Sequence, residues 1–525
     1  MLCTKRRGIR CAKHRVHKKK GWIPAMKKVL SLVLALTMAM TLAFTASVAA
    51  ADEVKKPDKI TIMVDGTVFT TLNARDKMEA RWEELTGIDL EIIQPDHDAY
   101  FDVLQQQIAS GDWPDVMILP STYYSSYAAE GVLWDMSEAW ENSATKASGR
   151  FTGDSVLDGL RISGGLYGFS PTRGNGCLTY VKKAWLDAVG LEAPANWEQY
   201  VAMLDAFVNG DPDGDGLKDT FGVAAAGFIG PEHPYVNYLP EFYQDAYPSF
   251  IQQEDGAWID GFTLESMKGA LERLNEGYTK GYIDPTTLTN GTKDCRNKYY
   301  DDTFGVFTYW AGTWGTNLKT NLEKNGLSGE LVALPPIAEV DAYFDRVPPV
   351  WAISSACENP EGVFTYFIDT MLDGGDMQML WTYGVEDVHW STKAEEVLGT
   401  QYEEGQFHMR ESLEIPGTPY AKHHIDPMLA LASFAEGYYD PREDSVKEEA
   451  KVSAEVFNAH SKLAQIVPTT DAMSMYNGDL TTLKNELIAK VTMGEMTYDE
   501  AMARFETDGG AAWSKTIVDS LNALK

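Results

Sequence analysis

The amino-acid sequence predicts an α/β protein made of two or more lobes. Its 525 residues exceed the roughly 250 to 300 at which a single hydrophobic core stops growing. Short strand patterns at Lys59–Val64, Asp89–Ile93 and Asp115–Leu119 alternate with helical patterns at Asn73–Thr86 and Ala99–Ala109. Strands that alternate with helices in this way are typical of a parallel sheet covered by helices.

The first 51 residues predict export. A cationic start at Met26-Lys27-Lys28 precedes the apolar run from Val29 to Phe44, and the small residues Ala49 and Ala51 stand at the −3 and −1 positions of a signal-peptidase site. The apolar run is shorter than the about 20 residues that a membrane-spanning helix needs. We therefore expect a signal peptide cleaved after Ala51 and a protein that is extracellular or held in the cell envelope. No lipobox cysteine adjoins this site, so no lipid anchor is predicted, and the true start is either Met1 or Met26.

Charge is distributed unevenly along the chain. Residues 1 to 51 hold 11 of the 45 lysines and arginines and no acidic residue, which leaves 34 basic against 77 acidic residues and a net charge of −43 for the rest. Such a body repels phosphate backbones and anionic lipid headgroups, although high charge also serves solubility alone. The composition thus argues against nucleic-acid and membrane-surface partners.

Cysteine usage excludes a disulfide framework. Cys177, Cys295 and Cys357 follow the leader at wide spacing and form no Cys/His metal pattern. We expect buried thiols with at most one bridge.

Segments spread over the chain carry a resemblance to a known family. The run Leu166-Tyr167-Gly168-Phe169-Ser170-Pro171 is followed by the segments 178–186, 190–191, 194 and 196–198. Further matching segments are 131–136, 307–310, 383–390 and 496–505. In their order, these segments resemble family 1 extracellular solute-binding proteins of the carbohydrate type that serve bacterial ABC importers, in particular the long-chain branch of alginate and oligosaccharide binders.

The resemblance implies a two-lobed periplasmic-binding-protein-like fold of type II, in which each lobe is a mainly parallel sheet flanked by helices and a hinge joins the two. It places the hinge crossings near 170–173, near 345–349 and near residue 400. The implied organisation is a leader at 1–51, lobe 1 at 52–170 and 346–400, and lobe 2 at 171–345, completed with C-terminal helices at 401–525.

An acidic loop predicts a bound cation. Asp211, Asp213, Asp215 and Asp219 stand at positions 1, 3, 5 and 9 of a segment with glycine at position 6, and the Leu217 carbonyl stands at position 7. This spacing suits Ca²⁺, which takes about six to eight oxygen ligands. Gly222 replaces the glutamate of an EF-hand at position 12, so other groups or water must complete the shell. A structural calcium in alginate-type relatives supports this prediction, while an Asp/Gly-rich surface turn is the alternative.

Aromatic side chains near strand ends predict carbohydrate binding. Sugar rings stack on flat aromatic faces inside concave sites, and Trp310 and Trp314 follow an apolar strand at Phe304–Phe307, with Gly312 opening a helix. For any single aromatic residue, packing in the core is the alternative role. The other ligand-binding candidates are Asp65, Tyr123, Tyr124, Phe169, Arg173, Asn175, Trp351, Tyr383, His389 and Trp390.

These observations predict that the protein captures an oligosaccharide outside the cell and delivers it to ABC permease subunits. We expect the protein to be a monomer. Alternatives are a peptide ligand, delivery to a membrane sensor, and a secreted glycosidase. No acid and base pair, serine elbow, zinc motif or phosphate loop is recognisable in the sequence, and the adjacent His423-His424 is a weak metal or catalytic candidate. We therefore predict a protein that is not an enzyme.

Overall fold

The computed structural model describes residues 54–65, 70–96, 99–226, 239–420, 424–438 and 447–524. The predicted leader and its cleavage site, with Cys3, Cys11 and His423, lie outside the described residues. The strands are β1 Lys59–Met63, β2 Asp89–Ile93, β3 Val116–Leu119, β4 Cys177–Lys182, β5 Phe221–Ala224, β6 Phe250–Gln252, β7 Trp258–Asp260, β8 Phe304–Trp310, β9 Leu331–Leu334, β10 Tyr343–Asp345, β11 Val350–Ile353, β12 Trp390–Ser391, β13 Glu396–Val397, β14 Thr400–Gln401, β15 His408–Met409 and β16 Ser461–Leu463.

The α-helices vary in length from one turn to six. They are α1 Arg75–Thr86, α2 Tyr100–Ser110, α3 Ser121–Ala129, α4 Ser137–Glu141, α5 Ala144–Ala147, α6 Asp154–Gly159, α7 Lys183–Val189, α8 Trp197–Asn209, α9 Pro240–Tyr243, α10 Glu265–Thr279, α11 Thr292–Tyr300, α12 Thr313–Lys324, α13 Pro360–Val363, α14 Asp376–Tyr383, α15 Glu448–Ala459, α16 Asp471–Thr492, α17 Tyr498–Thr507 and α18 Gly510–Asn522. None of the helices in these described ranges is long and apolar enough to cross a membrane.

The first sheet has the strand order β11-β3-β1-β2. β1 pairs in parallel with β2 and β3, as the alternating strand and helix pattern predicted, and β11 joins antiparallel to β3. Gly87 ends α1 in the left-handed conformation, with φ of 65° and its N–H donated to the carbonyl of Glu83, the arrangement that glycine adopts at helix ends without strain. Ile60, Ile62 and Val116 are fully buried in the core around this sheet.

The second sheet has the strand order β5-β8-β4-β9. β5 and β8 are parallel, whereas β4 is antiparallel to both β8 and β9. The strand directions are therefore mixed rather than mainly parallel. Along β4, Cys177 and Val181 pack into one core while Leu178 and Tyr180 pack into a second core on the opposite face, because successive side chains of a strand point to opposite faces.

Three chain segments lie side by side between the two sheets: one at Arg173, one that runs from β10 to β11, and one that contributes Leu429 and β16. β10, whose Tyr343 lies in a core of the second sheet, pairs in parallel with β16, and β11 follows directly in the first sheet. The N–H of Arg173 donates to the carbonyl of Leu429 at 2.8 Å. Leu431 packs in the first core and Phe457 in a core of the second sheet. The domain boundaries set out from the sequence stay predictions.

The three cysteines of the described residues fit the prediction of buried thiols. Cys177 and Cys295 are buried and Cys357 is half-buried.

Candidate functional site

A cavity of about 650 Å³ lies between helices that belong to different lobes. One wall is formed by α2 and α3, which follow strands of the first sheet, and the other by the start of α16, whose later residues Leu480 and Leu487 lie in a core of the second sheet. The N–H of Thr469 donates to Ser125 Oγ at 3.1 Å and so connects the two walls. Polar and aromatic groups lining the cavity include Gln105, Tyr123, Tyr127, Ser474 and Asn477, and the apolar side chain of Met473 lies among them.

Tyr123 presents a fixed aromatic ring to this cavity. Its ring is stacked on that of Phe101, with centroids 4.2 Å apart and planes 7° apart. Gln105 Nε2 donates to its hydroxyl at 3.0 Å. Tyr127 meets Tyr123 edge-on, and burial raises the pKa of Tyr127 to about 12. The Tyr127 hydroxyl is therefore a neutral hydrogen-bonding group near neutral pH.

Sequence reasoning missed the α16 side of this cavity. Thr470 caps α16 by accepting a hydrogen bond from the N–H of Met473. Met473 and Asn477 are one turn apart on this helix, so their side chains line the same wall of the cavity. Pro468-Thr469-Thr470-Asp471 is a helix-start signal that the sequence displays. What the sequence does not display is that this helix faces α3.

A second cavity of about 480 Å³ adjoins the first at Thr469. Arg161 and Tyr167 line it from the first lobe, and Trp258 and Leu521 line it from the second. The contact between Ser125 and Thr469 therefore lies beside both open spaces.

Trp310 and Trp314 both lie at the carboxyl end of β8 and are half-buried. Trp310 packs against the same core as Met473, and Trp314 meets the buried Tyr309 edge-on at 4.9 Å. Gly312, which carries φ of 72°, separates β8 from α12, a backbone conformation that side chains disfavour. This turn leaves part of each indole accessible beside the strand end.

Arg173 and Asn175 lie where the chain passes between the lobes. Arg173 Nε donates to Asp345 Oδ2 at 2.8 Å and Nη2 donates to Ser461 Oγ at 2.8 Å. Asn175 adopts φ of 60° and accepts the N–H of Arg346 at its carbonyl, 3.0 Å away. Arg173 thus ties together three separate chain segments, which is a structural role beside the predicted ligand contact.

Five of the predicted ligand contacts are buried in the described structure. Tyr124 donates to the carbonyl of Leu160 at 2.6 Å. His389 accepts the N–H of Val385 at Nδ1 and hydrogen-bonds the Asn73 carbonyl through Nε2 at 2.7 Å. The buried set is Tyr124, Phe169, Trp351, Tyr383 and His389, each at most 4% exposed. These side chains are held by packing and hydrogen bonds within the fold, and their contact with a ligand stays a prediction.

Asp65 and Trp390 are half-buried. Asp65 follows β1 in the first lobe, at the edge where ligands bind in open α/β sheets. Trp390 donates from Nε1 to the Gly384 carbonyl at 2.9 Å and stacks on Phe407. The structure therefore does not bring Trp390 to the cavity between α3 and α16, whose lining includes neither residue.

The acidic loop brings three of its four predicted carboxylates together. One oxygen from each of Asp211, Asp213 and Asp215 lies within 4.8 Å of the others. Asp213 Oδ1 is buried and has no hydrogen-bond partner in the part of the chain that the structure describes. Burial first, and then the charge of the neighbouring Asp215, raises the pKa of Asp213. Asp219 is exposed and is not part of this group.

The other positions of this loop are weaker candidates for cation ligands. Leu217 is exposed, and its N–H donates to Asp215 Oδ1 at 2.7 Å. A Cβ on Gly222 would come within 2.7 Å of Leu204. The twelfth position is therefore crowded for a larger side chain, and a cation here would need water or another group.

The sequence profile described as bacterial extracellular solute-binding protein matches residues 70–372. The chain belongs to this family. The prediction made from the sequence motifs is thereby confirmed, and the family's members are extracellular binding proteins.

Curated relatives of this solute-binding protein include two from Bacillus subtilis (strain 168). Lipoprotein LipO is 24% identical over 232 residues, which span 43% of this chain and 45% of LipO. The polygalacturonan/rhamnogalacturonan-binding protein YtcQ is 20% identical over 471 residues, which span 83% of this chain and 86% of YtcQ.

Among solved structures, the fold is similar to that of FusA, an ABC-transporter substrate binding protein of Streptococcus pneumoniae. The structure compared is that of an EF-hand mutant of FusA in complex with fructo-nystose. The TM-score is 0.54 at 15% identity, and the match covers 89% of this chain and 99% of FusA. The likeness confirms the predicted two-lobed α/β fold.

Proposed function

We propose that this solute-binding protein binds an oligosaccharide between its lobes and delivers it, unaltered, to the permease subunits of an ABC importer. The observation that carries the proposal is the pair of half-buried indoles, Trp310 and Trp314, at the carboxyl end of β8. Indole faces stack on the C–H surfaces of sugar rings. The cavity between α3 and α16, with Tyr123 and Asn477 on opposite walls, adds aromatic and polar groups of the kind that recognise sugar hydroxyls.

The relatives support a carbohydrate and leave its charge open. YtcQ is named for polygalacturonan and rhamnogalacturonan, and FusA is described with fructo-nystose. The first is an acidic polysaccharide and the second a neutral oligosaccharide. Shared ancestry therefore favours a glycan over a peptide without choosing between these two kinds.

Hinge closure is the proposed mechanism. A ligand shifts the balance between open and closed forms only by its difference in affinity for them. Contacts to Tyr123 on one lobe and to Asn477 on the other would exist together only when the walls are close. The permease would then recognise the closed form.

Calorimetric titration against a glycan panel and a peptide panel tests this function. We expect binding of an oligosaccharide, with at least a tenfold loss of affinity in Trp310→Ala or Trp314→Ala. Trp513→Ala is the matched control, since Trp513 is also half-buried but lies on α18, against Gly509. Binding of peptides alone, or cleavage of a glycan, would refute the proposal.

We also propose that the acidic loop holds a structural Ca²⁺. The clustered oxygens of Asp211, Asp213 and Asp215 and the unpartnered Asp213 Oδ1 fit a hard cation, and the FusA structure shows that an EF-hand occurs in a protein of similar fold. Ca²⁺ should raise the melting temperature of the chelator-treated protein but not that of Asp213→Asn. An unchanged melting temperature on calcium addition would contradict this assignment.

A further inference from the structure

Two hydroxyl groups bridge the backbone of the turn between Trp310 and Trp314. They belong to Tyr180 on β4 and to Ser453 on α15. The Gly312 N–H donates to Ser453 Oγ at 2.9 Å, and the hydroxyls of Ser453 and Tyr180 are 2.5 Å apart. Tyr180 in turn donates to the Trp310 carbonyl at 2.9 Å. The bridge therefore begins and ends in the backbone of the same turn.

The protons that are available decide the direction of each hydrogen bond in this bridge. An amide N–H can only donate, so Ser453 Oγ accepts from Gly312. A carbonyl oxygen can only accept, so Tyr180 gives its single proton to Trp310, and Ser453 donates to the Tyr180 oxygen. Burial raises the pKa of Tyr180 and so keeps that proton in place. Each hydroxyl thus donates once and accepts once, and removing either one breaks the bridge.

The helix that supplies Ser453 is held by close packing near both of its ends. Near its start, a Cβ on Gly315 of α12 would come within 2.8 Å of the Glu449 carbonyl oxygen and within 3.2 Å of the Ser453 Cβ. Near its end, Phe457 is fully buried, and a Cβ on Gly176 would lie 2.6 Å from its ring. A helix packed this closely has one position, which fixes the place of the Ser453 hydroxyl.

The angle of each indole decides whether a sugar can stack on it, because one face of each indole is covered by an arginine. The guanidinium carbon of Arg346 lies 4.7 Å from the ring centroid of Trp310, and that of Arg296 lies 4.9 Å from the ring centroid of Trp314. A sugar ring must therefore use the opposite face. Since the turn at Gly312 connects the two tryptophans, a rotation of its backbone changes the angles of both indoles.

We propose that Ser453 is a positioning residue of the binding wall, which acts with Tyr180 to hold Trp310 and Trp314 at the angles that a glycan requires. The inference rests on the proposed function. Both hydroxyl-bearing side chains are buried, so they act through the turn and not by touching a sugar. A buried polar network whose hydrogen bonds are all made specifies one conformation, and its loss allows the turn to adopt others.

Fluorine NMR of the fluorotryptophan-labelled protein, without any glycan, tests the positioning role directly. The signals of Trp310 and Trp314 are assigned with the variants Trp310→Phe and Trp314→Phe. We expect Ser453→Ala and Tyr180→Phe to shift or broaden these two signals. Ser514→Ala is the matched control and should leave both signals in place, because the Ser514 hydroxyl is also buried in the second lobe but donates to a carboxylate of β7 at 2.7 Å.

Calorimetric titration with the glycan panel then measures the effect on binding, with fructo-nystose as a neutral member and trigalacturonate as an acidic one. The probe is the member that the wild type binds most tightly. Ser453→Ala and Tyr180→Phe should each weaken its affinity about tenfold, as expected when a buried hydrogen bond is lost. The double variant should be little weaker than either single variant, because the two hydroxyls form one bridge. Ser514→Ala should keep the wild-type affinity.

The possible contrary results separate the inference from the proposed function. Unchanged fluorine signals and unchanged affinity in folded Ser453→Ala and Tyr180→Phe would refute the positioning role and leave the proposed function intact. Equal changes in Ser514→Ala, or losses that simply add in the double variant, would also refute it. If the wild type binds no glycan, the proposed function fails, while the fluorine signals still decide whether the two hydroxyls hold the indoles.

Discussion

Glu241 provides a sharp test of the packing within the second lobe. Its side chain is buried beside the second sheet, with 1% of the residue exposed, and Thr179 Oγ1 donates to its Oε1 at 2.6 Å. Its other oxygen has no hydrogen-bond partner among the described residues. Burial raises the pKa of Glu241 from 4.5 to about 7.

The replacement Glu241→Gln should make the protein more stable at alkaline pH. The folded state keeps the proton up to about pH 7, while the unfolded chain loses it near 4.5, so this group's favourable contribution is complete below pH 4.5 and is lost as pH rises through 7. The shift corresponds to about 3 kcal/mol. Glutamine imitates the protonated acid, so it should stabilise the protein by up to about 3 kcal/mol at pH 8 and by little at pH 4.5.

Urea unfolding at pH 4.5 to 8.5 measures this difference, with Glu254→Gln as the exposed control. The gap in unfolding free energy between Glu241→Gln and the wild type should grow with pH and level off above 7. The control should show no such growth. A gap that is constant with pH, or that shrinks as pH rises, would show that Glu241 is ionised in the folded protein and that the reasoning is wrong.

Two further predictions concern the hinge and the loop region after α14. Arg173→Ala removes the ion-pair partner of Asp345, whose Oδ1 has no hydrogen bond within the described ranges. This change should lower the free energy of unfolding by about 3 to 5 kcal/mol, because it leaves a buried carboxylate unpaired. The double variant Arg173→Ala/Asp345→Asn should recover part of that loss, and an equal loss in the single and double variants would contradict the reasoning. His389 has a pKa lowered by burial and accepts the Val385 N–H as a neutral ring, so its contribution is present above about pH 6.5 and is lost as pH falls further through the lowered pKa. In the Glu241→Gln background, unfolding should therefore become easier below pH 6.5, and His389→Gln should abolish that slope; an unchanged slope would assign it to other groups.

The three parallel strands of the first sheet could be predicted from the sequence because their signals are local. β1 to β3 and the two helices between them are each marked by periodicity within a dozen residues, and Gly87 marks the end of α1. The mixed strand directions of the second sheet could not be predicted from the sequence. Thr179 of β4 pairs with Leu334 of β9, far along the chain, and no local pattern encodes which distant strand becomes a neighbour.

Of the candidate site, too, only a part could be predicted from the sequence. Tyr123 and Tyr124 are adjacent and chemically alike, yet Tyr123 lines the cavity while Tyr124 is fully buried and donates to Leu160. The side of α3 that faces the core is decided by the packing of distant segments, which the sequence does not state. Asn477 was missed for the same reason, since its importance depends on the approach of α16 to α3.

The hinge geometry limits how binding can drive closure. Moving a two-state equilibrium from 1:99 to 99:1 requires about 5.5 kcal/mol of difference in affinity between the states. A ligand held only by Trp310 and Trp314 would touch one lobe, bind both states equally and close nothing. In the proposed mechanism, the α3 wall supplies the difference in affinity through Tyr123 and its neighbours in the cavity lining. The hydrogen bond between Ser125 and Thr469 connects the two walls, and because such a bond contributes only about 0.5 to 1.5 kcal/mol, it is small beside that difference.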